Sequence, residues 1–177
     1  MIYDLVRPFA ALRPVPEHAA AVAAPPYDVL NTEEARVRAE GRPHSFLHIS
    51  KPEIDLPEGT DVYAPKVYAK GAQNLNRLVD DGILMREEKP CFYAYRLTMG
   101  DHSQTGIAMI ASAKAYDANT IRKHEFTRPK KEDDRFNQIT ALNAQTGPVL
   151  LVYKASSSVS AVLDAVTAKS PTYDFVA

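Results

Sequence analysis

The fold is decided by residues 63–81, which read YAPKVYAKGAQNLNRLVDD. The apolar positions in this stretch recur at intervals of three and four residues, namely Val67, Tyr68, Gly71, Ala72, Leu75, Leu78 and Val79. That spacing places them on one face of a helix, so the stretch predicts an amphipathic helix that ends before Gly82. A glycine inside a helix costs about 1 kcal/mol relative to alanine, which indicates close packing at Gly71.

Downstream of this helix, two strands are expected to form a β-hairpin. Residues 91–97 carry alternating aromatic side chains, and residues 106–112 are almost wholly apolar. Residues 99–102 supply a glycine-containing turn between them. Because the second strand is so apolar, we expect it to lie inside the sheet.

The C-terminal part of the chain predicts a helix at residues 129–143, with Pro129 in its first turn. Apolar spacing predicts that this helix buries Phe136, Ile139 and Leu142. The remaining expected elements are a short buried strand at residues 148–153, a helix at 159–168 and a strand at 173–177.

The segment before the helix predicted at residues 63–81 is rich in proline. Eight of the 13 prolines lie within residues 1–60, which disfavours long helices there. Regularly placed apolar residues nevertheless indicate an ordered wrapping segment rather than disorder. Two short helices are expected, at residues 16–23 and 32–40. The second begins with a capping box at Asn31 and closes at Gly41.

Interleaved helices and strands favour an α+β fold, with a mixed or antiparallel sheet, flanking helices and a proline-rich wrapping N-terminal segment. Residues 45–49 alternate in polarity, so His48 is expected to be a hydrogen-bonded histidine in a sheet. At 177 residues the chain is expected to form a single domain, residues 1–177. The strand-like residues at its end predict that it is the N-terminal part of a longer protein.

Composition excludes several classes of function. The net charge of −1 disfavours broad binding to nucleic acid or to an anionic membrane. Cys91 is the only cysteine, so neither an intrachain disulfide nor a cysteine-based zinc site is predicted. The sequence has no apolar window of about 18 residues and no signal-peptide layout. We therefore expect a cytoplasmic protein, and no metal site is predicted.

The highest density of charged side chains lies in residues 122–135, which read RKHEFTRPKKEDDR. Glu125 is a candidate general base toward a hydroxyl, and His124 can orient it. The cations Arg122, Lys123 and Arg128 flank this pair and can bind an anion. The alternative is that the whole segment is a solvated charged surface.

Lys131 and Arg135 are four residues apart, so they share one face of the predicted helix. Like charges at that spacing repel unless a negative group lies between them. A bound phosphate satisfies this condition, and so does a neighbouring acidic side chain, with Asp134 and Glu132 both available. The sequence leaves the two alternatives open.

The tripeptide Gln-Thr-Gly occurs at residues 104–106 and 145–147, each time before an apolar stretch. Glycine allows close backbone approach, and a threonine hydroxyl with free N–H groups can cradle an anion. Thr146 and Gly147 are therefore candidate phosphate contacts. For each copy alone, a turn at the entry to a strand is the better interpretation.

Several short motifs follow one another along the chain: RPFAALRP at residues 7–14, APPYDV at 24–29, SFLHI at 45–49, HE at 124–125 with TRP at 127–129, KEDDR at 131–135 and AQTGP at 144–148. Together they resemble an uncharacterised prokaryotic family, the domain-of-unknown-function family numbered one-thousand-and-fifteen. The match resembles the N-terminal half of that family. Members continue into an Asp-Gly-His-His-Arg motif, which is similar to that of free-serine kinases with a ParB/sulfiredoxin-like fold.

The resemblance implies phosphoryl transfer to a small hydroxyl substrate, such as serine, or nucleotide binding. ATP or ADP with Mg²⁺ would be the cofactor. By the same analogy Glu125 is the base, His124 its partner, and Arg128, Lys131 and Arg135 bind phosphate. This sequence contains no Asp-Gly-His-His-Arg motif, so activity is expected only in a longer chain. The alternative function is a non-catalytic module that binds a ligand or partner.

Overall fold

The computed structural model describes residues 5–123 and 127–176. The chain divides into two compact units. Unit 1 contains Met1–Leu12, Arg86–Phe126 and Leu151–Thr172, and unit 2 contains Arg13–Met85, Thr127–Leu150 and Tyr173–Ala177. The organisation of residues 1–177 as one domain stays a prediction.

Helices and short strands interleave along the described residues, which confirms the α+β class. The helices are α1 (Ala19–Val22), α2 (Thr32–Ala39), α3 (Leu47–Ser50), α4 (Pro65–Asp80), α5 (Ala113–Asp117), α6 (Pro129–Leu142) and α7 (Ser157–Thr167). The strands are β1 (Val6–Arg7), β2 (Leu12–Pro14), β3 (Leu84–Arg86), β4 (Tyr93–Met99), β5 (His102–Ala108) and β6 (Ile110–Ala111). They pair as β1–β6, β2–β3 and β4–β5. No helix in the described ranges has the length and apolarity needed to cross a membrane.

Helix α4 forms the centre of unit 2, and its position confirms the prediction for residues 63–81. It buries Val67, Leu75 and Leu78 to 2%, 6% and 1% exposure. The helix packs against α3, α6 and a 3₁₀ helix at Pro52–Asp55. The predicted apolar face is therefore largely the one that the fold buries, except that Val79 is 39% exposed and Asn74 is buried.

Gly71 lies where α4 approaches three other segments. A Cβ atom at this position would lie 3.1 Å from Pro52 Cγ, 3.3 Å from the Ile49 carbonyl oxygen and 3.4 Å from Leu142 Cδ1. The first two distances are shorter than ordinary van der Waals contacts, so a larger residue would push the segments apart. The close packing predicted at Gly71 is confirmed.

Helix α2 begins as the sequence predicts. The Asn31 side chain accepts a hydrogen bond from the Glu34 N–H at 2.9 Å, and the Glu34 carboxylate accepts one from the Asn31 N–H at 2.8 Å. This capping box satisfies two backbone donors at the start of the helix. Gly41, with φ of +68°, follows the helix in the left-handed region that glycine tolerates best. The predicted helix at residues 16–23 is also present, as a 3₁₀ turn at Pro16–His18 followed by α1.

Unit 1 is built on the hairpin of β4 and β5. The strands pair antiparallel from Tyr93 with Ala108 to Met99 with His102, so Gly100 and Asp101 form the turn. The predicted hairpin and its turn are confirmed. Tyr93 fixes the N-terminal segment to the hairpin, because its hydroxyl donates to the Phe9 carbonyl at 2.9 Å and accepts from the Ala11 N–H at 3.0 Å.

Three strand predictions were wrong. Within the described residues β5 pairs with β4 alone and is largely exposed, so it does not lie inside a sheet. Residues 148–153 form no strand, and Val149 and Val152 are 76% and 90% exposed. Residues 173–176 likewise form no strand, although the Tyr173 hydroxyl donates to the Pro14 carbonyl. An apolar run favours extended backbone, but a strand also needs a pairing partner, which the described residues do not provide here.

Residues 45–49 are helical rather than part of a sheet. Burial alternates along them as in a strand, with Ser45, Leu47 and Ile49 fully enclosed. Nevertheless Leu47–Ser50 is a single helical turn, α3. A one-turn helix that is packed on several sides can bury residues two positions apart. Alternating burial therefore did not distinguish a strand from a helical turn at residues 45–49.

Candidate functional site

The predicted catalytic pair, His124 and Glu125, lies outside the described residues, and two of its flanking cations belong to unit 1. Arg122 and Lys123 are exposed, and Lys123 Nζ lies 4.3 Å from the centroid of the Tyr116 ring. The face of an aromatic ring attracts a cation, so Tyr116 holds Lys123 on the surface of unit 1.

The other predicted phosphate contacts belong to unit 2. Arg128 is the N-cap residue of α6, and Lys131 is on its first turn. Both are exposed. Thr146 is half-buried and Gly147 is exposed, and the Gly147 carbonyl accepts a hydrogen bond from Gln145 Nε2 at 3.1 Å.

The strand-entry interpretation of the Gln-Thr-Gly tripeptides was wrong for both copies. Residues 104–106 lie within β5, and no strand follows residues 145–147. For the first copy, β5 begins at His102, directly after the turn, which is four residues before the predicted strand start. The role of Thr146 and Gly147 as phosphate contacts stays a prediction.

Arg135 is already bound by other side chains of unit 2. Its Nη2 donates to Asp134 Oδ2 at 2.7 Å, and its guanidinium carbon lies 4.1 Å from the centroid of the Tyr27 ring. Its Nε atom is buried without a hydrogen-bond partner among the described atoms. The two alternatives for Arg135 were a bound phosphate and a neighbouring acidic side chain. The structure provides the acidic side chain, which is that of Asp134.

The face of α6 that unit 2 buries is not the predicted one. Phe136 is 69% exposed and Ile139 is 37% exposed, so only Leu142 of the predicted three is enclosed. Asp134 and Gln138 are buried in their place, at 8% and 2% exposure. Buried polar groups need hydrogen-bond partners, so the contacts of these two side chains explain why the helix is turned this way.

Asp134 is held by the hydroxyl of Tyr68 on α4. The Tyr68 hydroxyl donates to Asp134 Oδ1 at 3.1 Å. Burial raises the pKa of Tyr68, and the hydrogen bond and negative charge of Asp134 raise it further, while Asn137 and Arg135 oppose the shift. The hydroxyl therefore keeps its proton and remains a donor, which fixes α6 against α4.

Gln138 and Asn74 stabilise the short helix α3 from two sides. Gln138 Nε2 donates to the Ile49 carbonyl at 2.8 Å, and Asn74 Nδ2 donates to the His48 carbonyl at 2.7 Å. These carbonyls lie in the last turn of a helix, where they have no partner within the helix itself. The two buried amides supply the missing hydrogen bonds.

His48 is hydrogen-bonded, as predicted, although in a helical environment. Its Nδ1 lies 2.8 Å from Asp55 Oδ1, and its Nε2 lies 3.2 Å from the Arg42 carbonyl. Burial alone would raise the pKa of Asp55, but hydrogen bonds from His48 and Asn74, with the nearby charges of His48 and Lys70, bring it below its ordinary value. This cluster therefore has a structural role.

A groove of about 660 Å³ lies along α4 and α6 in unit 2, and we call it the α4–α6 groove. Its walls are Tyr63, Pro65, Tyr68, Ala69, Ala72, Gln73, Asn76, Asn137, Thr140 and Ala141. Four of these residues carry amide or hydroxyl groups on exposed positions, and none of the ten carries a formal charge. The lining is therefore partly polar, partly apolar and electrically neutral.

A cation stands beside one end of this groove. Lys130 Nζ lies 4.3 Å from the centroid of the Tyr63 ring. Lys130 is on the first turn of α6, and Tyr63 directly precedes α4, so the two helices begin close together. The exposed Arg128 and Lys131 belong to the same turn as Lys130, which makes this the cationic end of the groove.

Both helices begin without a side-chain cap. The N-cap residues are Ala64 for α4 and Arg128 for α6, and neither side chain accepts a hydrogen bond from the helix. Each helix has proline at its first position. Uncapped N-termini carry partial positive charge, which adds to the charge of Lys130.

Sequence reasoning missed the groove residues. It named neither Lys130 nor the amides Asn76 and Asn137 as ligand contacts. A signal was present, because polar residues three positions apart recur on both helices, at Gln73 with Asn76 and at Asn137 with Thr140. Recognising it required knowing that α4 and α6 are neighbours.

No group of three or more histidine, cysteine, aspartate or glutamate side chains is positioned to hold a metal ion among the residues that the structure describes. Magnesium is commonly held by one or two carboxylates together with phosphate oxygens of the substrate. The binding of Mg²⁺ stays a prediction.

The model of one protein family, described as "Protein of unknown function (DUF1015)", matches residues 6–177. This match spans nearly the whole chain and confirms the resemblance drawn from the motifs. No curated protein and no solved structure matches the chain. The similarity to ParB/sulfiredoxin-like kinases is not confirmed by these comparisons.

Proposed function

This chain belongs to the DUF1015 family, and we propose that it is the phosphate- or nucleotide-binding part of a small-molecule kinase-like enzyme. The observation that supports the proposal most strongly is the position of Lys130. Its ammonium group lies 4.3 Å from the centroid of the Tyr63 ring, at the end of a groove large enough for a small molecule.

The charge distribution around the groove supports an anionic ligand group at that end. Arg128, Lys130 and Lys131 lie on the exposed start of α6. The partial positive charges of two uncapped helix starts have the same sign as these cations. A phosphate placed there would meet several donors while the rest of the ligand lay in the neutral groove.

The proposal assigns the remaining chemistry as follows. ATP or ADP with Mg²⁺ supplies the phosphate, and serine or another hydroxyl compound accepts it. Glu125 takes the proton from the hydroxyl and His124 orients Glu125. Arg128, Lys131 and Arg135 of unit 2 bind phosphate together with Thr146 and Gly147. Arg122 and Lys123 of unit 1 stay candidate anion contacts that neighbour the catalytic pair in the sequence. Because Arg135 already binds Asp134, its contribution requires that it exchange or share this partner.

The proposal places the protein in the cytoplasm and makes its partner a small molecule rather than a nucleic acid or a membrane. The near-neutral net charge of −1 supports this. Absence of a gel shift with DNA and RNA at low salt is the expected result. A shift that weakens steeply with salt would contradict it.

Isothermal titration calorimetry at low ionic strength tests phosphate binding. ADP, ATP, pyrophosphate and free serine are titrated separately into the full 177-residue chain. We expect binding of at least one phosphate-bearing ligand, weakened about tenfold or more in Lys130→Ala, since a charge-assisted contact is lost. Lys169→Ala removes an exposed lysine elsewhere and should leave the affinity unchanged. Absence of binding at millimolar ligand would contradict the proposal.

The second candidate function is a non-catalytic ligand- or partner-binding module. It is favoured by Arg135, whose ion pair and ring contact already give it a structural role. Glu125→Gln separates the two functions, because it removes the base while keeping the shape of the side chain. Lost phosphoryl transfer with intact ligand binding, measured in a longer chain that includes residues 1–177, supports the enzyme. Unchanged function supports the module.

A further inference from the structure

We infer that the α4–α6 groove recognises an uncharged, hydroxyl-rich body, so that the ligand of this site is a phosphorylated polyol of sugar-like chemistry. The inference rests on the proposed function for the phosphate and adds the identity of the other half of the molecule. Four exposed polar residues carry it: Gln73, Asn76, Asn137 and Thr140.

These residues offer hydrogen-bond donors and acceptors in a mixed set. Gln73 Oε1 accepts from Lys70 Nζ at 3.3 Å, so the Gln73 amide group is left to donate. Asn137 acts on the Tyr68 hydroxyl, and its exposed amide group can both donate and accept. The side chains of Asn76 and Thr140 make no hydrogen bond within the described part of the chain, and both can donate and accept.

A hydroxyl group matches such a set better than a charged group does. Each hydroxyl donates one hydrogen bond and accepts others, so it satisfies either kind of neighbour after a simple rotation. A carboxylate only accepts and an ammonium only donates, so each would leave part of the lining without a partner. Unsatisfied polar groups that lose water weaken binding.

The neutral lining also argues against a charged body. The ten residues around the groove carry no formal charge that could pair with one. Two cations, Lys130 and Lys70, contact the wall residues Tyr63 and Gln73, and one carboxylate, that of Asp134, contacts the wall residue Tyr68. Charges of both signs therefore lie behind the wall, and the lining itself offers no charged partner to an ammonium or carboxylate group. Of the hydroxyl substrates that the proposed function allows, the groove therefore favours a polyol.

The size of the groove agrees with this class. Small-molecule sites generally have volumes of about 300–1,000 Å³. The groove volume of about 660 Å³ has room for a monosaccharide phosphate together with waters that bridge it to the wall. Alanines at positions 69, 72 and 141 give the floor an apolar surface on which the carbon skeleton can lie.

Four probes test the inference by isothermal titration calorimetry on the full chain: inorganic phosphate, ribose 5-phosphate, O-phosphoserine and unphosphorylated ribose. We expect ribose 5-phosphate to bind about tenfold tighter than either inorganic phosphate or O-phosphoserine. Asn76→Ala and Asn137→Ala should each weaken ribose 5-phosphate about 3- to 10-fold and leave inorganic phosphate unchanged. The control Gln104→Ala removes an amide from the exposed hairpin and should change neither affinity.

The outcomes distinguish this inference from the proposed function. If inorganic phosphate binds and ribose 5-phosphate binds no tighter, the sugar-like body is refuted and the phosphate site stands. If phosphate fails to bind while ribose binds and depends on Asn76, the groove inference stands and the kinase-like function falls. If none of the four probes binds, both are overturned. Circular dichroism of each variant verifies that it is folded.

Discussion

Helices α4 and α6 begin side by side and in the same way, yet they bury opposite kinds of side chain. Each starts with proline and lacks a side-chain cap. Helix α4 encloses mainly apolar residues, with Leu78 at 1% exposure. Helix α6 encloses Gln138 at 2% exposure and leaves Phe136 69% exposed.

The difference shows that the neighbours of a helix, as well as its own pattern, decide which face is buried. Helix α4 meets mainly apolar surfaces, so its apolar stripe turns inward, and Asn74, which donates to the His48 carbonyl, is the one buried amide on it. Helix α6 meets the Ile49 carbonyl at the end of α3 and the Tyr68 hydroxyl on α4. Leaving these polar groups buried and unpaired would cost about 1–3 kcal/mol each, so a helix that supplies partners for both is favoured.

The largest expected effect compares apolar truncations on the two helices. Leu78→Ala should lower the free energy of unfolding by about 2–5 kcal/mol, because it opens a cavity in the core of unit 2. Phe136→Ala should change it by less than about 0.5 kcal/mol, because the ring is exposed. Urea denaturation measures both. A loss at Phe136 equal to that at Leu78 would mean that the buried face of α6 is the apolar one.

A polar-to-apolar substitution tests the same contrast in reverse. Gln138→Leu should lower the free energy of unfolding by about 1–3 kcal/mol, although leucine is the more hydrophobic residue, because the Ile49 carbonyl loses its donor. Gln73→Leu makes the same change on the exposed side of α4 and should have an effect under about 0.5 kcal/mol. Chemical denaturation of the Gln138→Leu and Gln73→Leu variants measures both changes in the free energy of unfolding. Stabilisation by Gln138→Leu would show that the hydrogen bond is dispensable.

Adding an N-cap side chain to each helix tests whether the starts of α4 and α6 are alike. Ala64→Ser and Arg128→Ser should each raise the free energy of unfolding by about 0.5–1 kcal/mol, because serine at the N-cap accepts a hydrogen bond from the first turn. Arg128→Ser should at the same time weaken phosphate binding, since a cation is lost. Thermal unfolding and calorimetry provide the two readouts. A stabilised Arg128→Ser protein with unchanged phosphate affinity would remove Arg128 from the site.

The smallest effect concerns Asp55, which hydrogen-bonds Asn74, the buried polar residue of α4. The pKa of Asp55 lies below its ordinary value of 3.8, so the stability that it contributes is present above that value and is lost as the pH falls through the pKa of the folded protein. Unfolding measured from pH 6 to pH 2 should show this loss. Asp55→Asn should lack it, whereas the exposed control Asp174→Asn should retain it.

Local interactions explain what the sequence predicts well. The helix at residues 63–81 is specified by its own apolar spacing, and α2 by the capping box between Asn31 and Glu34. The hairpin turn at Gly100 is specified by the glycine itself. Each of these depends on residues that are close together in the chain.

Contacts between distant residues explain what it does not predict. The burial of Gln138 depends on a carbonyl 89 positions earlier in the chain. Residues 148–153 form no strand because the described residues provide no partner strand for them. The α4–α6 groove likewise exists only because two separate helices meet. Polarity patterns contain none of these pairings. The sequence therefore indicates residues 122–135 as a candidate site, because their charged side chains are close together in the chain, but it does not indicate the α4–α6 groove.

The packing at Gly71 has a consequence for how sequences related to this one can vary. An added carbon there would lie 3.1 Å from Pro52 Cγ and 3.3 Å from the Ile49 carbonyl oxygen, and that carbonyl is held in place by Gln138, so Pro52 has to move. An alanine at position 71 should therefore be accompanied by a smaller residue at position 52. Natural substitutions at these two positions are expected to occur together, which makes them a marker of the unit 2 architecture in sequences too divergent for its helices to be aligned directly.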